Sequence, residues 1–96
     1  YGDEQHAGEL ETSIMMHLAP EQVRTERVDY VPDVDPVHFD YRPMKDFCRH
    51  GVWGNSSLAT AEKGKLVVDA MVDYTVDKLQ ETFTKLGVRS RTTPVV

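Results

Sequence analysis

His6, Glu9 and Glu11 stand at the opening of an apolar run, in the order His6-Ala7-Gly8-Glu9-Leu10-Glu11-Thr12-Ser13. An imidazole, a glycine that admits a close backbone approach, and carboxylates in a first helical turn are the mixture a metal hydrolase uses. A first-turn carboxylate is held rigidly and can bind a cation. A histidine just before it, on a loop, can reach the same centre and move protons. Spacing alone leaves the structural reading open beside the chemical one. Two ligands do not make a metal site, and a first-turn glutamate also suits the positive end of a helix dipole.

A second stretch, Gly51-Val52-Trp53-Gly54-Asn55-Ser56-Ser57-Leu58-Ala59-Thr60-Ala61-Glu62-Lys63-Gly64, is a glycine-rich loop running into a helix. Helix N-termini attract anions, but Gly51 and Gly54 match neither a P-loop nor a dinucleotide fingerprint. A tight loop, with Gly64 permitting close helix packing, is the reading favoured for it. Trp53 suits a pocket wall or a packed core equally. His17 reads as an ordinary helix residue, and Cys48, with no activating neighbour in sequence, as a small buried hydrophobe. The acidic stretch around His38, from Asp33 to Asp40, lacks the glycine and terminal glutamate of a calcium loop and reads as solvated.

The elements that must position these residues follow from periodicity. Leu10, Ile14 and Leu18 fall on one helical face, widened by Met15 and Met16, which predicts a mostly buried helix over Glu9–Leu18 ended by Pro20. Glu21 to Arg24 is expected to add one further turn. Residues 25–56 read as a long irregular loop interrupted by Pro32, Pro36 and Pro43, with brief strands at 27–30 or near 50–53. Loops of that length are unusual inside a compact domain. The clearest element is a helix beginning between Ser57 and Thr60 and running to Leu86. Val68, Val72, Val76, Leu79, Phe83 and Leu86 share one face, Asp69, Asp73 and Asp77 another, and Glu81 is spaced to pair with Lys85. Thr60 is the expected N-cap, Gly87 the expected C-terminal glycine with Val88 packing behind it. The tail from Arg89 reads as loose.

Bulk properties narrow the class. Ninety-six residues with 40% hydrophobic and 28% charged residues make one small globular unit. A net charge of −5 argues against nucleic-acid or anionic-membrane binding. A single cysteine allows no internal disulfide; together with the lack of a long apolar run or a signal pattern, this leads to a cytoplasmic expectation. The opening Tyr1-Gly2-Asp3, without an initiator methionine, is expected of a processed chain or one that begins within a longer protein.

Taken together, the two stretches are specific. The run HAGELETSIMMHLAPEQV resembles the His-Ala-Gly, Glu-Thr-Ser, Met-Leu, Pro, Val pattern of the creatininase family, and GVWGNSSLATAEKG resembles that family's second C-terminal block. Order and spacing agree, and the resemblance covers about Asp3 to Leu86. It implies a C-terminal segment of a single domain, spanning residues 1–96, of an α/β/α sandwich around a mainly parallel sheet. This chain would supply chiefly two helices joined by a long loop.

The resemblance also implies hydrolysis of non-peptide C–N bonds in small cyclic or linear amides by one or two divalent metals (zinc, manganese or iron). Carried over, Glu11 is the metal ligand or a carboxylate beside the metal, and His6 the proton shuttle or transition-state stabiliser. Asn55-Ser56 replaces the Asp-Pro common in the family. The family's Glu-x-His motif, metal-binding aspartate and Asn-Gly-His-type block have no counterpart here, so most metal ligands are expected from outside this chain. The expected partner is a second polypeptide carrying the N-terminal part of the fold, in a homo- or hetero-oligomer. A non-catalytic assembly subunit is the alternative, and a free-standing helical binding module a weaker third.

Overall fold

Two helices that touch backbone to backbone organise the chain. The computed structural model describes residues 4–88; the loose tail expected from Arg89 onward lies outside the described residues. Helix α1 spans Glu9–Leu18, strand β1 Asp29–Tyr30, strand β2 Gly54–Asn55 and helix α2 Ala61–Lys85. The chain is thus α/β, with two helices and a small antiparallel sheet in which Asp29 faces Asn55 and Tyr30 faces Gly54. Short 3-10 turns at Pro20–Gln22, Pro36–Asp40, Met44–Asp46 and Ser56–Leu58 occupy the connections.

Helix α1 forms where its periodicity predicts and stops before Pro20. Its large apolar residues were expected inside, and the structure corrects this. Of α1 only Ser13 is buried, while Leu10, Met15 and Leu18 are 38%, 42% and 61% exposed. The cause is the kind of contact α1 makes. It meets α2 through small residues: a Cβ at Gly64 would overlap the Ser13 carbonyl oxygen and lie 3.0 Å from the Cβ of His17. That approach leaves the bulky side chains to either side of the crossing.

The junction is also tied by polar groups. Ser13 Oγ accepts from the Thr60 N–H at 3.1 Å, and Thr60 Oγ1 in turn accepts from the Lys63 N–H at 3.1 Å, which makes Thr60 the N-cap of α2. At the far end, Gly87 takes φ +70°, Val88 donates to the Phe83 carbonyl at 2.9 Å and Gly87 to that of Thr84 at 3.1 Å. This is the glycine-terminated cap expected from the sequence.

The long connection is less irregular than its prolines suggest. It wraps around Trp53, only 1% exposed, with Phe39 and Phe47 edge-on to the indole at 5.0 and 6.3 Å between ring centroids. Trp53 is therefore a core residue. Cys48 is buried in the same region, and burial pushes its thiol pKa up. The sheet is fastened by Ser56, whose hydroxyl donates to the Val28 carbonyl at 2.5 Å and accepts from the Val28 N–H at 3.1 Å. Next to it, the Ser57 hydroxyl and N–H both donate to Asp29, which holds that carboxyl below its ordinary range.

Candidate functional site

The segment before α1 is anchored on the buried indole's own backbone. His6 N–H donates to the Trp53 carbonyl at 3.1 Å, and Trp53 N–H returns a bond to the His6 carbonyl at 2.9 Å. From this antiparallel bridge the chain must turn sharply into α1. Ala7 makes the turn with φ +51°, a left-handed conformation that is unfavourable for a residue with a Cβ. Its N–H donates to Glu11 Oε2 at 2.6 Å, which helps hold the conformation. Gly8 and Gly54 follow from crowding. A Cβ on Gly54 would lie 2.9 Å from the Gly8 Cα, and one on Gly8 would collide with the Glu4 carboxylate. Glu4 fills that corner because its Oε1 accepts the free Leu10 N–H of the first turn of α1 at 2.8 Å.

Glu11 and His6 come together at this turn. His6 Nδ1 lies 3.8 Å from Glu11 Oε2, and both side chains are about half exposed, at 54% and 56%. Among the described residues, Glu11 Oε1 has no hydrogen-bond partner, while Oε2 accepts from the Ala7 N–H. One carboxylate oxygen is thus fixed by backbone and the other is free to face a ligand. Glu11 stands between two hollows. One, of about 420 Å³, is shared with Met15, Arg27, Val52 and His50; the other, of about 150 Å³, is shared with His6 and Glu4.

Glu9 is different. Its side chain is only 19% exposed and its Oε1 pairs with Lys63 Nζ at 2.8 Å. Lys63 also donates to the Leu58 carbonyl at 2.7 Å. Glu9 therefore ties α1 to the start of α2 and leaves Glu11 as the available carboxylate. Glu4, Lys63 and Arg27 were not singled out in the sequence. The Lys63–Glu9 pair spans 54 residues, where no local periodicity reaches.

A family model described as creatinine amidohydrolase matches residues 2–79. The chain belongs to the creatininase family. It is 35% identical over 83 residues to a mycofactocin precursor peptide peptidase of Mycobacterium tuberculosis, covering 81% of this chain and 33% of that protein. It is 32% identical over 84 residues to a creatinine amidohydrolase of Pseudomonas putida, covering 84% of this chain and 32% of that protein. The chain therefore spans about a third of the length of these creatininase-family relatives. No solved structure matches it.

A divalent metal is what the family resemblance implies. Among the described residues no group of three or more His, Cys, Asp and Glu side chains lies together. The free oxygen of Glu11 suits one edge of such a centre, with the His6 imidazole beside it to move protons, and the other ligands would come from elsewhere. No helix among the described residues is long and apolar enough to cross a membrane.

Proposed function

We propose that this chain is the C-terminal wall of a metal-dependent amidohydrolase acting on the non-peptide C–N bond of a small cyclic or linear amide. The observation that carries this reading is the exposed His6–Glu11 pair at the strained Ala7 turn, with one carboxylate oxygen free beside a cleft. Backbone strain held in place by a functional carboxylate is a feature of active sites. Membership of the creatininase family supports the same chemistry. The remaining two thirds of the fold, with its sheet and its other ligands, comes from a second polypeptide or a further part of the same one. The complete domain is an α/β/α sandwich and the assembly an oligomer in the cytoplasm.

In this mechanism Glu11 would hold the metal (zinc, manganese or iron) or orient the attacking water. The metal, when bound, supplies Lewis acidity toward the amide. His6 takes up and returns the proton at its imidazole while Glu11 Oε2 stays on the Ala7 N–H. A glutamate oxygen fixed by backbone needs little reorganisation during the reaction, which is the condition for effective electrostatic catalysis.

The test is metal content and amide hydrolysis of the full protein with Glu11→Gln and His6→Asn. Glu11→Gln should lower activity by more than about a hundredfold and reduce bound metal, and His6→Asn should lower it by about a thousandfold with metal retained. Full activity in Glu11→Gln overturns the reading. The exposed apolar face of α2, with Val72 53%, Leu79 48% and Phe83 42% exposed, also suits a non-catalytic assembly subunit. That reading predicts a stable complex with neither metal nor hydrolysis.

A further inference from the structure

We propose that Arg27 is a carboxylate-binding residue of the cleft beside Glu11, so that the molecule taken there carries a carboxylate as well as an amide. The amide half rests on the amidohydrolase reading above; the carboxylate half rests on Arg27. Its Nη1 is sealed from solvent and has no hydrogen-bond partner among the described residues. Among the described residues Nη2 reaches only the Met16 sulfur, at 3.8 Å, and a thioether is a weak acceptor. Arg27 takes part in no ion pair among the described residues. A guanidinium stays charged at every physiological pH, so it cannot relieve its burial by releasing a proton. One guanidinium nitrogen buried without a partner is unfavourable, and an anion in the adjoining hollow would offset that cost.

The surroundings select the kind of anion. Arg27 is half-buried in the wall of the hollow of about 420 Å³ that Glu11 also lines. The planar fork of a guanidinium matches the two oxygens of one carboxylate. Glu26 and Glu11 share the lining, which disfavours a multiply charged anion such as phosphate. Val23, Val28 and Val52 line the cleft as well and suit a short hydrocarbon spacer between carboxylate and amide. The backbone beside Arg27 is already fixed, because both polar groups of Val28 are bonded to the buried Ser56 hydroxyl. Binding therefore does not have to order the segment, which favours affinity.

The experiment is calorimetric titration of the full protein with succinamate, which has a carboxylate and an amide, and with butyramide, which has the amide alone. Succinamate should bind saturably and butyramide at least about tenfold more weakly, the difference a charge-assisted pair makes. Arg27→Gln should weaken succinamate by about the same factor, Arg27→Lys should restore part of it, and Arg42→Gln on the exposed surface should leave it unchanged. Circular dichroism of each variant separates lost binding from lost folding, and Arg27→Lys keeps the proposal testable if Arg27→Gln does not fold. The two readings fail separately. Full hydrolysis in Glu11→Gln with Arg27-dependent succinamate binding removes the amidohydrolase reading and keeps the carboxylate site. Equal binding of the two probes, undiminished binding in Arg27→Gln, or no saturable binding because a protein carboxylate already pairs with Arg27, overturns the carboxylate site.

Discussion

The two halves of α2 share one backbone geometry and differ in everything that holds them. The first turns are fastened from outside the helix. Thr60 caps it, Ser13 accepts the Thr60 N–H, Lys63 is tied to Glu9, and Gly64 lies against the α1 backbone. Beyond Asp69 every described residue is exposed, including Leu79 and Phe83. That half is held by its own i,i+3 and i,i+4 pairs and by the Gly87 cap. Lys85 and Lys78 flank Glu81 at 2.8 and 3.3 Å, and such exposed pairs contribute only a few tenths of a kcal/mol each. Helix propensity and capping thus suffice to specify where α2 runs, while the side-chain chemistry that fixes its place in the fold is confined to its N-terminal end, next to the candidate site.

The largest expected break in this comparison comes from Gly64→Ala. The new methyl meets the Ser13 backbone, so the helices must separate, at a cost of about 3 kcal/mol. Urea denaturation measures it, and a midpoint within error of the parent would mean the junction is not fastened by backbone contact. Ser13→Ala is next. It leaves the Thr60 N–H without its acceptor inside the junction, at about 2 kcal/mol by the same measurement. The smallest effect belongs to the outer half.

Glu81 has its pKa lowered first by its hydrogen bond with Lys85 and then by that with Lys78. A carboxylate whose folded pKa is depressed contributes stability above its unfolded pKa and loses it as pH falls through the folded one. Acidification through the ordinary glutamate range and below should therefore fray the last turns, read as faster amide exchange at Lys85 and Leu86, while Lys63 and Gly64 stay protected. Equal loss of protection at both ends would erase the distinction between the halves.

Much of the candidate site was legible before the fold was. His6 and Glu11 stood out because a histidine, a glycine and a first-turn carboxylate precede a periodic helix, and the structure brings the two within 3.8 Å. Glu9 sat in the same first turn, and nothing local separates a carboxylate that will be salt-bridged from one that will be free. Its partner Lys63 is 54 residues away. Arg27 gave no signal at all, since its significance lies in what fails to surround it.

The sequence by itself determined both helices, the caps of α2, the Glu81–Lys85 pair and the family blocks. Each of these depends on residues within a turn or two of one another, where periodicity and capping chemistry act directly. The tertiary structure alone decided which face of α1 is covered, that Trp53 belongs to the core, and that Ala7 takes a left-handed turn to set Glu11 against its own backbone. Those outcomes depend on contacts across long separations, such as Ser13 with Thr60, 47 residues apart. There, the missing side chain of Gly64 settles the packing more firmly than the large apolar residues on either side.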